Sequence, residues 1–123
     1  IDVTSLDSEV FGNKYALVDL FVILLDNAVK YSSDGGSIAI EVKKADKSVS
    51  VAVHDHGVGI AQKDLPHIFD RFYRADTARS KSTASGYGLG LSIAQKIVVQ
   101  HKGSITAAST PKKGSVFTVR LPV

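Results

Sequence analysis

Between Leu17 and Ser32 the chain reads LVDLFVILLDNAVKYS, in which Leu17, Leu20, Phe21, Leu24 and Ala28 recur at helical spacing while Val18, Val22, Leu25 and Val29 widen the stripe. A helix this apolar is expected to be mostly buried. The period then changes to two: SIAIEVKK and SVSVAVHD alternate through Ile38, Ile40, Val42 and Val49, Val51, Val53, joined through Ala45-Asp46-Lys47, the pattern of a β-hairpin. After Ile60, Lys63-Asp64-Leu65-Pro66 suits the first turn of a short helix or a break, and HIFDRFYRA adds another turn. Residues 75–87, ADTARSKSTASGY, contain no large aliphatic side chain and five Ser or Thr, so nothing there anchors to a core and a mobile loop is predicted. Helical spacing returns from Gly88 to Lys102 through Leu91, Ala94 and Val98, and stops at Gly103 as a glycine-capped helix would. Two strands follow, at about 104–109 and 115–121. The order β, α, β, β, α, loop, α, β, β predicts an α+β architecture in which helices cover one face of a mostly antiparallel sheet.

Length and composition keep that picture to one domain. The 123 residues suffice to bury roughly two thirds of the surface of the unfolded chain, without repeat or internal linker. With 44% hydrophobic and 22% charged residues the composition is that of a soluble globular protein, and no apolar run approaches the roughly 20 residues of a spanning helix. The absence of Cys excludes disulfides and thiolate metal sites. The lack of Met and the start at Ile1 lead us to expect a fragment of a longer protein. The net charge of +3 is unevenly spread: residues 1–62 hold 5 Lys and Arg against 9 Asp and Glu, residues 63–123 hold 10 against 3. Arg71, Arg74, Arg79 and Lys81 crowd into the loop region, either as a solvated face or as contacts for a polyanion. Nucleic acid is disfavoured as that polyanion, because neither aromatic interleaving nor a reading helix accompanies the charge.

Three stretches carry polar groups where pattern alone would not place them. Asn27, Lys30 and Tyr31 share one side of the apolar first helix. An amide oxygen suits Mg²⁺, which shares its coordination sphere with water and phosphate oxygens, and an ammonium suits the same phosphates. The alternative is the wet edge of a helix near its C-terminus, where the dipole favours Lys. In HDHGVGI, residues 54–60, Asp55 stands beside Gly57 and Gly59, an acceptor next to backbone that another body can approach closely. In GYGLGLSIAQK, Gly86, Gly88 and Gly90 precede an apolar helix whose first N–H groups could face an anion. A dinucleotide fold would need a strand directly before these glycines and an acid about 20 residues later, and neither is there. Phe69, Phe72 and Tyr73 at helical spacing fit a core as well as a contact surface. His54, His56, His67 and His101 show no ligand spacing with one another.

Taken together, LLDNAVKYS, DHGVGI, PHIFDRFYRAD and GYGLGLSIAQKIVVQHKGSI, followed by KKGSVFTVRLP, resemble the N box, first glycine box, F box and second glycine box of the catalytic ATP-binding domain of sensor histidine kinases. The resemblance spans about residues 9–122. It implies the Bergerat two-layer α/β sandwich shared with gyrase-type, chaperone and mismatch-repair ATPases, with ATP and Mg²⁺ as ligands. It implies that Asn27 binds Mg²⁺, with Asn27 and Lys30 serving phosphoryl transfer and Tyr31 reaching the phosphates. Asp55 would accept the adenine amine, with Gly57 and Gly59 letting the base lie against the backbone. The ATP lid would be the loop from about 74 to 87, with Arg74 or Arg79 as phosphate contact. Gly86, Gly88 and Gly90 would form the hinge and far end of that lid, and these with Ile60, Tyr87, Leu89, Leu91 and Thr118 would complete the nucleotide pocket.

One position departs from the pattern that the resemblance carries. Four residues before Asn27, where the family usually has Asn or another polar residue and its hydrolysing members a Glu, this chain has Ile23. Ile is neither base nor ligand, so water-directed hydrolysis is disfavoured and one phosphate or metal-water contact is absent. The expectation is the kinase half of a bacterial two-component sensor, passing the γ-phosphoryl group to a histidine on dimerisation helices upstream. The expected partners are those helices, a response regulator and a second copy in a homodimer, with the domain cytoplasmic and its parent membrane-anchored. A degenerate nucleotide-binding module and a Ser/Thr kinase of the anti-sigma type are the alternatives.

Overall fold

The computed structural model describes residues 2–4, 12–32, 36–71 and 90–122. Strand β1 (Asp2–Thr4) is followed by helix α1 (Lys14–Tyr31), strands β2 (Ile38–Ala45) and β3 (Ser48–Asp55), a 3₁₀ turn (Leu65–His67), helix α2 (Gly90–Gln100) and strands β4 (Ser104–Thr110) and β5 (Gly114–Pro122). The sheet order is β1-β2-β3-β5-β4; β1 runs parallel to β2 and the remaining pairs are antiparallel. A parallel pair cannot be closed by a tight turn, and α1 is the crossover between β1 and β2. The result is an α+β sandwich with helices on one face of a mostly antiparallel mixed sheet, as the element order predicts. Among the described residues no helix is long and apolar enough to cross a membrane.

Helix α1 begins at Lys14, three residues before its apolar periodicity, because Asn13 caps it: its Oδ1 accepts from the N–H groups of Tyr15 at 3.0 Å and Ala16 at 3.1 Å. Its buried side is Leu20, Leu24 and Ala28, four residues apart. These meet Ala94, Ile97 and Val98 of α2 and the sheet residues Ile38, Val49, Val53, Phe117, Val119 and Leu121. Leu20 and Leu24 are fully enclosed, so truncating either to Ala costs about 2–5 kcal/mol. The β2–β3 turn is Asp46-Lys47, with Ala45 already paired to Ser48. Phe69 meets Phe117 edge-on, ring centroids 6.3 Å apart at 88°, which places part of the predicted aromatic stripe in the core. Phe72 and Tyr73 lie outside the described residues, as does the predicted loop 75–87.

Two local expectations are corrected. The segment after Ile60 forms turns around the 3₁₀ stretch Leu65–His67 rather than an α-helix; Pro66 has no N–H to bond one turn back. At the end of α2 the left-handed residue is Lys102, φ 61°, not Gly103. Gly103 N–H donates to the Val98 carbonyl at 2.9 Å and Lys102 N–H to that of Val99 at 3.0 Å, which is a Schellman closure with Lys at the strained position. Gly103 is required for another reason: a Cβ there would stand 2.3 Å from the Arg120 carbonyl oxygen. His101 ties this end to the start of α1, its Nε2 accepting from Asn13 N–H at 3.0 Å and its Nδ1 lying 2.8 Å from the Ile97 carbonyl oxygen. That pairing fixes the proton on Nδ1.

Candidate functional site

Asp55 is the last residue of β3 and points to the helix-covered face, in step with Val49 and Val53. A carboxylate at 6% exposure needs partners, and the loop that follows supplies one: Gly57 N–H donates to Oδ1 at 3.0 Å. Burial nevertheless wins. It pushes the Asp55 carboxyl above its ordinary value, against the main-chain N–H groups of Gly57 and Ser115 and the attraction of His56 and His54.

The glycine loop is stitched to α1 on one side and to the β4–β5 turn on the other. Val58 N–H donates to the Tyr31 carbonyl at 3.1 Å, and Gly57 bridges to Ser32. Opposite, Lys112 N–H donates to the Val58 carbonyl at 2.7 Å, Ile60 N–H to Ser109 Oγ at 2.7 Å, and Gln62 Nε2 to the Ser109 carbonyl at 3.2 Å. These contacts explain the glycines more closely than an approaching ligand does. A Cβ on Gly57 would fall 1.6 Å from the Tyr31 carbonyl oxygen, and one on Gly59, φ 73°, would fall 2.3 Å from that of Thr110. The space a side chain would fill at either position is taken by this chain's own backbone. Asp55 therefore stands on a loop clamped from both sides.

Register reveals a polar row that composition hides. On the helix-covered face, Asp55 pairs directly with Ser115, and Ser115 with Ser109. Ser109 Oγ donates to the Gly114 carbonyl at 2.9 Å, accepts from Ile60 N–H, and lies 3.0 Å from Ser115 Oγ. With its one proton committed, Ser109 leaves Ser115 as the donor between the two hydroxyls, so Ser115 retains only acceptor capacity. Asp55 and Ser115 thus present adjacent acceptors at one end of the sheet. Neither Ser109 nor Ser115 stands out in the sequence; only cross-strand pairing with Asp55 marks them.

Along α1, Asn27, Lys30 and Tyr31 occupy the last turns before the stitch at Val58, with Asn27 and Tyr31 half-buried and Lys30 exposed. One turn earlier, Ile23 approaches the start of α2: a Cβ on Gly90 would lie 3.5 Å from Ile23 Cγ2. The C-terminal half of α1 therefore runs from the N-terminus of α2 to the glycine loop, about 12 Å between Ile23 and Tyr31 at the helical rise. Ile60 and Leu91 are half-buried against the core beside these elements. Thr118 is a correction. It pairs with Ala52, one residue out of phase with Phe117 and Val119, and faces the side of the sheet away from Asp55. Arg74, Arg79, Gly86, Tyr87, Gly88 and Leu89 lie outside the described residues. Among the described residues no cluster of three or more His, Asp or Glu could hold a metal ion, so a cation bound beside Asn27 would take most of its ligands from water and from the molecule that carries it.

Residues 12–123 match the family described as histidine kinase-, DNA gyrase B- and HSP90-like ATPases. The chain belongs to that family. Over 122 residues it is 42% identical to the sensor histidine kinase RppB of Synechocystis sp., covering 99% of this chain and 27% of that protein. It is also 42% identical over 118 residues to the signal transduction histidine-protein kinase ArlS of Staphylococcus aureus, covering 96% and 26%. The chain therefore spans about a quarter of the length of these relatives. Its fold matches the mycobacterial sensor histidine kinase MprB with a TM-score of 0.88 at 31% identity, over 98% of this chain and 81% of that one. The catalytic domain of the histidine kinase ThkA matches with 0.82 at 26% identity, over 98% and 76%. In this ATPase family member the clamped acid, the acceptor serine and the Asn–Lys turn of α1 meet at one end of the sheet.

Proposed function

We propose that the chain binds ATP with Mg²⁺ and is the kinase half of a sensor histidine kinase. Its reaction passes the γ-phosphoryl group to a histidine on dimerisation helices outside this chain. The observation that carries the reading is Asp55: a buried carboxylate on a doubly clamped loop, beside a serine that can only accept. Two acceptors side by side suit the amine edge of adenine, whose N–H groups donate; the carbonyl of guanine at the same edge would face them without a proton to share. Asn27 offers one neutral oxygen to a magnesium ion that the triphosphate brings, and Lys30 offers a point charge. The first N–H groups of α2 complete an electropositive surround for the phosphates. Bound magnesium would neutralise developing charge on the phosphate oxygens, so the residues of this chain need only position the triphosphate in line with its acceptor.

By resemblance to the family, this reading assigns nucleotide contacts to the loop from about 74 to 87 with Arg74 or Arg79, and to Gly86, Tyr87, Gly88, Leu89, Gly90, Leu91 and Ile60. The parent protein is a membrane-anchored homodimer whose phosphorylated histidine serves a response regulator. A second reading, a nucleotide-binding module that transfers no phosphate, is favoured by Ile23, an apolar side chain where the phosphates approach Asn27 and the α2 N-terminus. Titration calorimetry with ATP and GTP in the presence of Mg²⁺ tests the site, with ATP expected to bind at least about tenfold more tightly; equal affinities refute the purine assignment. Adding a helix pair bearing a phosphoacceptor histidine distinguishes the two readings, since a label labile in acid and stable in base supports kinase activity, and nucleotide binding with no label supports the second.

A further inference from the structure

Helix α1 carries a second apolar stripe, on the side away from Asn27. Tyr15, Val18, Val22 and Val29 are 82, 52, 49 and 60% exposed, and with half-buried Leu25 they fall at spacings of 3, 4, 3 and 4 residues. That is the heptad alternation of a helix–helix seam, with β-branched Val22 and Val29 at one kind of core position and Leu25 at the other. Val22 lies about 140° round the helix from Asn27, so the stripe is distinct from the nucleotide-facing side. A groove of about 460 Å³ runs along it, walled by Leu17, Val18, Phe21, Val22 and Leu25 with Lys14 at its end. Exposed Asp19 and Asp26, one heptad apart, flank the same edge of the stripe.

We propose that this face of α1 docks an amphipathic helix with an apolar seam and basic residues along the edge that meets Asp19 and Asp26. The period argues for a helix, because only a partner with the same 3.5-residue repeat keeps its side chains over the stripe along its length. The charges argue for basic flanks and against antiparallel pairing with a second copy, in which the row of Asp19 and Asp26 would face its own image. The proposal is independent of the nucleotide reading.

The probe is a fluorescent 21-residue peptide of three heptads, with Ile and Leu at the seam positions and Lys at both flanking positions; a control peptide carries Glu in place of Lys. At low ionic strength the Lys peptide is expected to bind saturably, and the Glu peptide at least about tenfold more weakly. The double variant Val18→Ser, Val22→Ser is expected to lose Lys-peptide binding while ATP affinity and the circular dichroism spectrum stay unchanged, since both residues are about half exposed. Asp19→Lys with Asp26→Lys is expected to remove the preference for the Lys peptide. No saturable binding, equal binding of the two peptides, or binding unmoved by the Val pair overturns the proposal. A dimer of the free chain in sedimentation that the Val pair abolishes assigns the stripe to a second copy and overturns it as well.

Discussion

Replacing Asp55 by Asn separates what this residue does for a ligand from what it does for the fold, because the two effects have opposite signs. In the folded chain burial favours the protonated carboxyl, so between its ordinary value of 3.8 and its raised folded value the native state binds more protons than the unfolded one. Stability therefore falls as pH rises through that window and stays lowered above it. Asn is an uncharged near-isostere of the protonated acid, and its amide oxygen can still accept from Gly57 N–H. The free variant is thus expected to be at least as stable as wild type at neutral pH and to lack the part of the acid-limb slope that Asp55 contributes. Nucleotide binding moves the other way. Losing a hydrogen bond to a charged acceptor costs about 1.5–3 kcal/mol, and at 1.4 kcal/mol per factor of ten the Kd for ATP rises about 10- to 150-fold. Thermal melts from pH 3 to 8 read the first effect, and calorimetry with ATP and Mg²⁺ reads the second. A Kd within about twofold of wild type refutes the purine assignment; a free variant that melts well below wild type at neutral pH refutes the claim that the charge is held at a cost.

Other perturbations follow from the same contacts. Gly57→Ala forces the loop away from the Tyr31 carbonyl, and with the Val58 hydrogen bond and the Ser32 bridge lost it is expected to destabilise by about 2–4 kcal/mol in denaturant titration; unchanged stability would show that the stitch is dispensable. Lys102→Gly relieves a left-handed residue and is expected to stabilise by about 0.5–1 kcal/mol, raising the melting temperature by about 2–6 °C; a lowered one refutes the cap assignment. Ile23→Asn adds an amide oxygen one turn from Asn27 and is expected to tighten ATP binding several-fold in Mg²⁺ but not in EDTA; equal effects in both would place position 23 away from the cation.

The elements with a strong period were legible before any coordinates. The Leu20, Leu24 and Ala28 side of α1 and the alternation through Val49, Val51 and Val53 appear where the pattern puts them, since burial of one face imposes that period on the residues themselves. Val18, Val22 and Val29, expected to widen the buried stripe, are exposed, so the helix is buried on one side rather than mostly buried. The start of α1 was less legible, because Asn13 acts through a side-chain oxygen and exposed Lys14 and Tyr15 add nothing to the buried side, which Ala16, four residues before Leu20, extends with only a small side chain. Gly103 misled for a related reason: glycine marks both left-handed backbone and close approach, and its partner, the Arg120 carbonyl, is distant in sequence. Strand register was the largest gap. Thr118 lies out of phase with apolar Phe117, Val119 and Leu121, a local signal for the outer face, whereas which residue of β5 stands opposite Asp55 depends on pairing that no local pattern encodes. The acidic residue of the site could thus be read from DHGVGI, whereas its serine partners could not.

The two halves of the site are built with different dependence on the rest of the fold. Asn27 and Lys30 are placed by one helix, and any change that keeps α1 intact keeps their spacing. Asp55 and Ser115 are placed by backbone contacts among four separate pieces: the C-terminus of α1, the loop after β3, the β4–β5 turn and the pairing of β3 with β5. A glycine stands at three of these close approaches, where Gly114 also passes with its Cβ position 2.0 Å from the Asp55 carbonyl oxygen. Displacing any one piece moves the carboxylate, so in the proposed site the purine contact is coupled to global packing, whereas the spacing of Asn27 and Lys30 is not. If Asp55 holds the purine as proposed, substitutions at Gly59 in the loop after β3 or at Gly114 at the β4–β5 turn are expected to alter nucleotide selectivity from residues that need never touch the nucleotide.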